Sequence, residues 1–216
     1  MESGRFARPA EGLLCTPCRL AAPPFDRAVA FGVYENELRE MLHLLKYEGM
    51  RTLARPLGAL LAQAILLLEG EAQWTGDLCV IGVPLFAVNQ RQRGFNQSIL
   101  LADEARARLN VTRPGWKLSA GHSLLKRVKA TESQFNLSTR GRRRNLVGAF
   151  RVEDSKNLLA GCDVLLVDDI YTTGATSRAC AQVLRRAGAR RVWVATLARA
   201  QREQVALWES GGSDFG

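Results

Sequence analysis

Long hydrophobic runs are missing from this 216-residue chain. Even the longest uncharged stretches, such as Pro56–Leu68, fall short of the about 20 apolar residues that a membrane helix needs, so no span is expected. The opening residues, MESGRFARPAEG, hold no apolar core of a secretory signal. A cytoplasmic location with reduced thiols is therefore expected. Histidine and cysteine are scarce, at two and five residues. His43 and His122 have no metal-ligand spacing. Among the cysteines only Cys15 and Cys18 form a CxxC, while Cys79, Cys162 and Cys180 fall in or beside expected core elements. A structural zinc site needs four ligands, so the CxxC is half a site. Two unligated thiols and a zinc-binding pair remain equally open. A redox role is weaker, because no strand precedes the pair. Two phosphate motifs are also missing. There is no GxxxxGK[ST], and no GxGxxG follows a strand, which excludes the P-loop and the dinucleotide fingerprint.

What is present suits one α/β domain with a small N-terminal addition. Apolar residues make up 47% and charged residues 24%, ordinary values for a globular chain of this length. Residues 1–27, rich in Pro, Gly and Ala, read as a leader. Residues 28–200 read as the domain and 201–216 as a tail. The net charge of +9 is concentrated in Lys126–Arg144. There Lys126, Arg127, Lys129, Arg140, Arg142, Arg143 and Arg144 face a single acid, Glu132. Such a segment suggests an anionic ligand, pyrophosphate or nucleic acid. The stretch Lys126–Leu146 is long, polar and nearly without apolar periodicity, as expected of a functional lid or of a disordered segment.

The stretch Val164–Thr176, VLLVDDIYTTGAT, organises the rest. Val164–Val167 reads as a strand buried on both faces of a parallel sheet. Asp168 and Asp169 follow at its C-terminal edge, and Thr172, Thr173, Gly174, Ala175 and Thr176 lead into a helix expected over about Ser177–Ala187. Ligands of open α/β sheets bind at the carboxyl ends of strands. A turn of small and hydroxyl residues at a helix start offers free N–H groups to a phosphate. Ionised carboxylates are acceptors only and suit sugar hydroxyls. The combination describes a ribose 5-phosphate. A receiver-type acid pair needs a further Asp on a later strand, and the last expected strand, Val192–Leu197, ends in Ala198-Arg199.

The remaining apolar runs predict strands at Val29–Tyr34 and Leu78–Val83 and helices at Leu38–Tyr47, Arg55–Glu69 and Gln97–Leu109. Lys46 and Tyr47, at the end of the first of these helices, could reach a ligand but are read as solvated, as an exposed lysine usually is. Pro84–Asn96 is expected to be a loop in which Arg91 and Arg93 precede a helix capped by Asn96, a second anion site. A short strand is expected at Phe150–Val152.

Val164–Thr176 resembles the 5-phosphoribosyl-1-pyrophosphate (PRPP) signature of type I phosphoribosyltransferases. With LLKYEG at 44–49, RGFNQS at 93–98 and the arginine-rich 127–150 stretch, the chain resembles the ComF (competence protein F) family. That resemblance implies a type I phosphoribosyltransferase fold: a central, mostly parallel sheet flanked by helices, with a small N-terminal hood at Ala28–Leu68. It implies that Asp168 and Asp169 take the ribose hydroxyls and Thr172–Thr176 the 5-phosphate, that Arg91 and Arg93 hold the pyrophosphate, and that Lys126, Arg127, Arg140 and Arg142 belong to a lid loop. Mg²⁺ is the expected companion of PRPP, and Cys15 and Cys18 would be what remains of the family's zinc ribbon. The implied activity is transfer of phosphoribose to an unknown base or amine with release of pyrophosphate, linked to competence and DNA uptake. The alternatives are a non-catalytic competence factor that binds single-stranded DNA or a helicase, and a PRPP-sensing regulator. Related folds often dimerise, so a homodimer is a further expectation.

Overall fold

The computed structural model describes residues 22–74, 77–129 and 146–200. The Cys15–Cys18 pair, Arg140, Arg142 and the tail lie outside the described residues.

The strands are β1 (Arg27–Val33), β2 (Asp77–Gly82), β3 (Lys117–Ala120), β4 (Leu125–Arg127), β5 (Phe150–Val152), β6 (Asp163–Tyr171) and β7 (Arg191–Arg199). Five of them form one sheet in the order β1-β7-β6-β2-β3, with every neighbouring pair parallel. β4 and β5 make a separate antiparallel pair. The helices are α1 (Asn36–Tyr47), α2 (Ala54–Leu66), α3 (Ala87–Arg93), α4 (Gln97–Thr112) and α5 (Ala175–Arg186), with a single helical turn at Glu69–Ala72. The sheet and its flanking helices are the type I phosphoribosyltransferase architecture. Residues 28–68, the expected hood, comprise most of β1 together with α1 and α2, and β1 joins them to the sheet beside β7.

Alternation along β6 divides its apolar residues between two layers. Leu165 and Val167 face a core shared with α1, α2 and α4, containing Leu42, Leu45, Leu57, Leu61 and Leu101. Val164 and Leu166 face a second core with Cys180, Ala181 and Leu184 of α5 and with Leu125 and Phe150 of the small β pair. Covered on both sides, β6 reads as a continuous apolar run rather than an alternating one.

Three boundaries differ from the sequence expectation, each in a way that bears on the site. β6 does not stop at Val167. It continues to Tyr171, so Asp168 and Asp169 lie within the strand, Asp168 in register with Thr196 of β7. Backbone pairing to β7 carries the strand past the end of its apolar residues. Pro84–Asn96 is not a plain loop, because α3 occupies its middle and ends at Gly94, which takes φ 72°. Apolar periodicity cannot reveal α3, since none of its residues is buried. Finally, α5 begins at Ala175, so Ala175 and Thr176 form its first turn.

The chain leaves β2 for β3 on one side and returns to β6 on the other. The carboxyl ends of β2 and β6 therefore flank the switch point, where open α/β sheets form a crevice. Gly82, the last residue of β2, lets α4 approach that crevice. A Cβ there would lie 2.7 Å from Ile99 Cα and N and 2.8 Å from Ser98 C, all backbone atoms that cannot swing aside. Gly82→Ala is expected to cost about 2 kcal/mol through overpacking, read as a lower urea midpoint with an unchanged slope. A midpoint equal to that of the wild type would show that α4 is not seated on β2 in this way.

Candidate functional site

The site begins with a cap. Asn96 Oδ1 accepts from the N–H groups of Ser98 (2.9 Å) and Ile99 (3.3 Å), as the sequence led us to expect, while its amide donates to Val83 O at 3.0 Å. One residue thus starts α4 and ties it to the chain just past β2. Gln97 and Ser98, in the first helical turn, then reach across the switch point to β6. Ser98 Oγ donates to Asp168 Oδ1 at 2.9 Å, and Gln97 Nε2 donates to Asp169 Oδ2 at 3.1 Å.

The structure corrects the expectation for Lys46. It is not solvated. Its Nζ lies 2.5 Å from Asp169 Oδ2, and the two side chains are only 13% and 8% exposed. Lys46 sits in the last turn of α1, after Leu42 and Leu45, which are fully buried. Burying two such leucines contributes about 4 kcal/mol, more than the about 2 kcal/mol of rotamer freedom a fixed lysine gives up. The helix therefore holds the ammonium against the acid.

The two acids are not equivalent. Asp169 is filled from all sides, with Lys46 and Gln97 on Oδ2 and the Ile170 N–H on Oδ1 at 2.7 Å. Burial opposes its ionisation, but the lysine charge and the hydrogen bonds prevail and hold it below the usual carboxylate range. Asp168 takes the Ser98 hydroxyl and the Asp169 N–H (3.0 Å), both on Oδ1. Its Oδ2 has no protein partner among the described residues. Burial, and then the neighbouring Asp169 charge, push the Asp168 carboxyl up to about 7. Lys46 moves upward despite its burial, because Asp169 outweighs the loss of water.

The turn after β6 leads into a helix without a side-chain cap, and Gly174 takes φ 72°. A Cβ at Gly174 would collide with the Tyr171 hydroxyl. Thr172, Thr173 and Thr176 are half-buried around this turn, and Thr173 Oγ1 accepts weakly from Ala175 N at 3.4 Å. The structure therefore brings Asp168, Asp169 and Thr172–Thr176 to one strand end.

The basic residues separate. Arg93 is drawn in: it donates to Gln97 Oε1 at 3.0 Å and lies 5.2 Å above the Tyr47 ring. Arg91, two positions earlier on α3, is exposed and takes no part in this network. On β4, Lys126 is exposed and Arg127 turns inward over Phe150 at 5.7 Å. Burial lowers the Arg127 pKa, and the Asp168 charge opposes that shift. Sequence reasoning missed Lys46, Gln97 and Ser98 as site residues. The available signal was their place in LLKYEG and RGFNQS. His122, likewise passed over, accepts from Gly82 N–H through Nδ1 at 3.0 Å, so its Nε2 carries the hydrogen toward Asp103 at 3.3 Å.

No group of three or more potential metal ligands occurs among the described residues. The acid pair already carries an ammonium, so these side chains do not fit a resident divalent ion. No described helix is long and apolar enough to cross a membrane.

The raised Asp168 pKa has a defined sign. The folded protein keeps a proton that the unfolded chain releases near pH 4, so ionising Asp168 costs stability as pH rises from about 4 toward 7. Asp168→Asn accepts the same two hydrogen bonds without that cost. Chemical denaturation at a series of pH values should show the variant gaining on the wild type across this window and levelling off above it. A difference that is flat with pH would contradict the assignment.

The phosphoribosyl transferase domain model matches residues 117–210, a span that contains β6 and the threonine turn. Competence protein F of Haemophilus influenzae is 33% identical over 186 residues, 86% of this chain and 78% of that protein. The DNA utilization proteins YhgH of Salmonella typhi and Escherichia coli K12 are 35% and 34% identical, each over 87% of this chain and 78% of theirs. TT1426 from Thermus thermophilus has a solved structure that aligns with 76% of this chain and 90% of its own, at 22% identity and a TM-score of 0.38, too low to add to the topology above. The parallel sheet, the acid pair at its switch point and these identities lead to one assignment: the chain belongs to the ComF family of phosphoribosyltransferase-like proteins.

Proposed function

We propose that this protein binds PRPP at the carboxyl end of β6 and transfers its phosphoribosyl group to a nitrogen of a base or amine, releasing pyrophosphate. The observation that carries the reading is the open Asp168 Oδ2 beside an uncapped α5. The acceptor oxygen lies on β6, and the N–H groups of the first turn of α5 follow it in the chain without a side-chain cap, an order that suits a sugar hydroxyl and its 5-phosphate. Thr172–Thr176 would hold the phosphate through backbone N–H groups and hydroxyls. Asp168 would take a ribose hydroxyl, with Asp169 behind it. Arg93 of α3 and Arg127 of β4 would stabilise the charge that builds on the departing pyrophosphate. In the transfer, the C1–O bond to pyrophosphate breaks, a C1–N bond forms, and the nitrogen's proton leaves to solvent or to a carboxylate. Mg²⁺ would enter as the counter-ion of PRPP, bound to the ligand's own oxygens.

The names of the relatives, competence protein F and DNA utilization protein, support a role in competence and DNA uptake. The second reading is a protein that keeps the PRPP site without turnover, as a sensor or as a factor acting on single-stranded DNA or a helicase.

PRPP with Mg²⁺ is expected to raise the melting temperature by linkage, with a stabilisation of about 2.7 kcal/mol at a hundredfold excess over Kd. Asp168→Asn together with Asp169→Asn should abolish the rise. No shift at millimolar PRPP would remove the ligand. Pyrophosphate release that depends on an added base or amine would establish the transferase, and binding without release would leave the sensor.

A further inference from the structure

We infer that Lys46 is a built-in cation of the acid pair, filling the place a divalent metal would otherwise take and keeping free divalent ions off Asp168 and Asp169. The inference does not depend on PRPP being the ligand.

Two adjacent carboxylates on one strand are an attractive pair for a hard divalent cation, which selects oxygen ligands by charge. Here that attraction is satisfied internally. The Lys46 ammonium touches Asp169 Oδ2, the Gln97 amide donates to the same oxygen, and the Ile170 N–H fills Oδ1. All three are N–H donors, and their hydrogens point at the oxygens a metal would need. A carboxylate offers about four lone-pair positions, and Asp169 has used three while only 6% exposed. Asp168 keeps one open oxygen, Oδ2, and a single carboxylate oxygen holds a divalent ion poorly in water. The ammonium cannot easily drift away, because Leu42 and Leu45 of the same helix are fully buried beneath it. A metal-bearing ligand must therefore bring its ion on its own oxygens. The chain presents it with a fixed positive charge on the face of Asp169 and an open acceptor at Asp168.

The test is manganese binding to the ligand-free protein, by calorimetry and by the electron paramagnetic resonance signal of the free ion, at about pH 8 where carboxylates are ionised. The variants are Lys46→Met, Lys46→Gln, Asp168→Asn and Lys46→Met with Asp168→Asn. Wild-type protein is expected to take up no manganese at the acid pair at millimolar concentration. Lys46→Met should create one site, tighter than anything in the wild type by about tenfold or more, and adding Asp168→Asn should remove it. Lys46→Gln keeps an uncharged donor to Asp169 and serves if the methionine variant does not fold. It too should bind manganese, because charge and not contact is what Lys46 supplies. Wild-type binding that Asp168→Asn abolishes would overturn the inference. So would a folded Lys46→Met or Lys46→Gln protein that binds no better than the wild type.

Discussion

The cost of keeping two adjacent carboxylates where strand pairing has excluded water organises this molecule. Asp168 and Asp169 are still within β6, Asp168 in register with Thr196 of β7, when the apolar run ends. Like charges at such a distance resist ionising together. The surrounding elements answer that cost from three directions. α1 delivers Lys46, the first turn of α4 delivers Gln97 and Ser98, and β4 places Arg127 close enough to Asp168 to feel its charge. Each of these elements is fixed by apolar packing elsewhere, so the core, and not the polar groups, sets the geometry.

The division between the acids follows from that arrangement. Alternation along the strand turns the two side chains toward different layers. Asp169 meets the layer of α1 and α4 and becomes a neutralised, nearly closed group. Asp168 keeps the Ser98 hydroxyl of α4 but otherwise meets the side of α5 and Arg127, and it retains an open oxygen together with a raised pKa. One carboxylate braces and the other is available. Gly82 and Gly174 serve the same end from the backbone, the first by letting α4 come down onto β2, the second by letting the chain turn under Tyr171 into an uncapped helix.

Most of the sheet was legible in the sequence because buried parallel strands are short apolar runs, and Val164–Val167, Leu78–Val83 and Val192–Leu197 are of that kind, whereas the edge strand β3 buries only Leu118 and carries no such run. Asn96 was legible because a cap is a local device. The extension of β6 through Asp168–Tyr171 was not, since it comes from pairing with β7 and not from side-chain character. α3 was hidden because it buries none of its residues. Lys46 was misjudged because a lysine at a helix end is most often solvated. Only the tertiary approach of α1 to β6 makes it a partner of Asp169. Arg91 and Arg93 looked alike in sequence, and helical spacing on α3 sends one to the network and the other to solvent.

The most direct test of this account is a crystal structure of the protein with PRPP bound. It should show the 5-phosphate on the N–H groups of the Thr172–Thr176 turn and a ribose hydroxyl on Asp168 Oδ2. PRPP seated elsewhere, or an Asp168 turned away from the sugar while the turn stays closed by protein atoms, would contradict it.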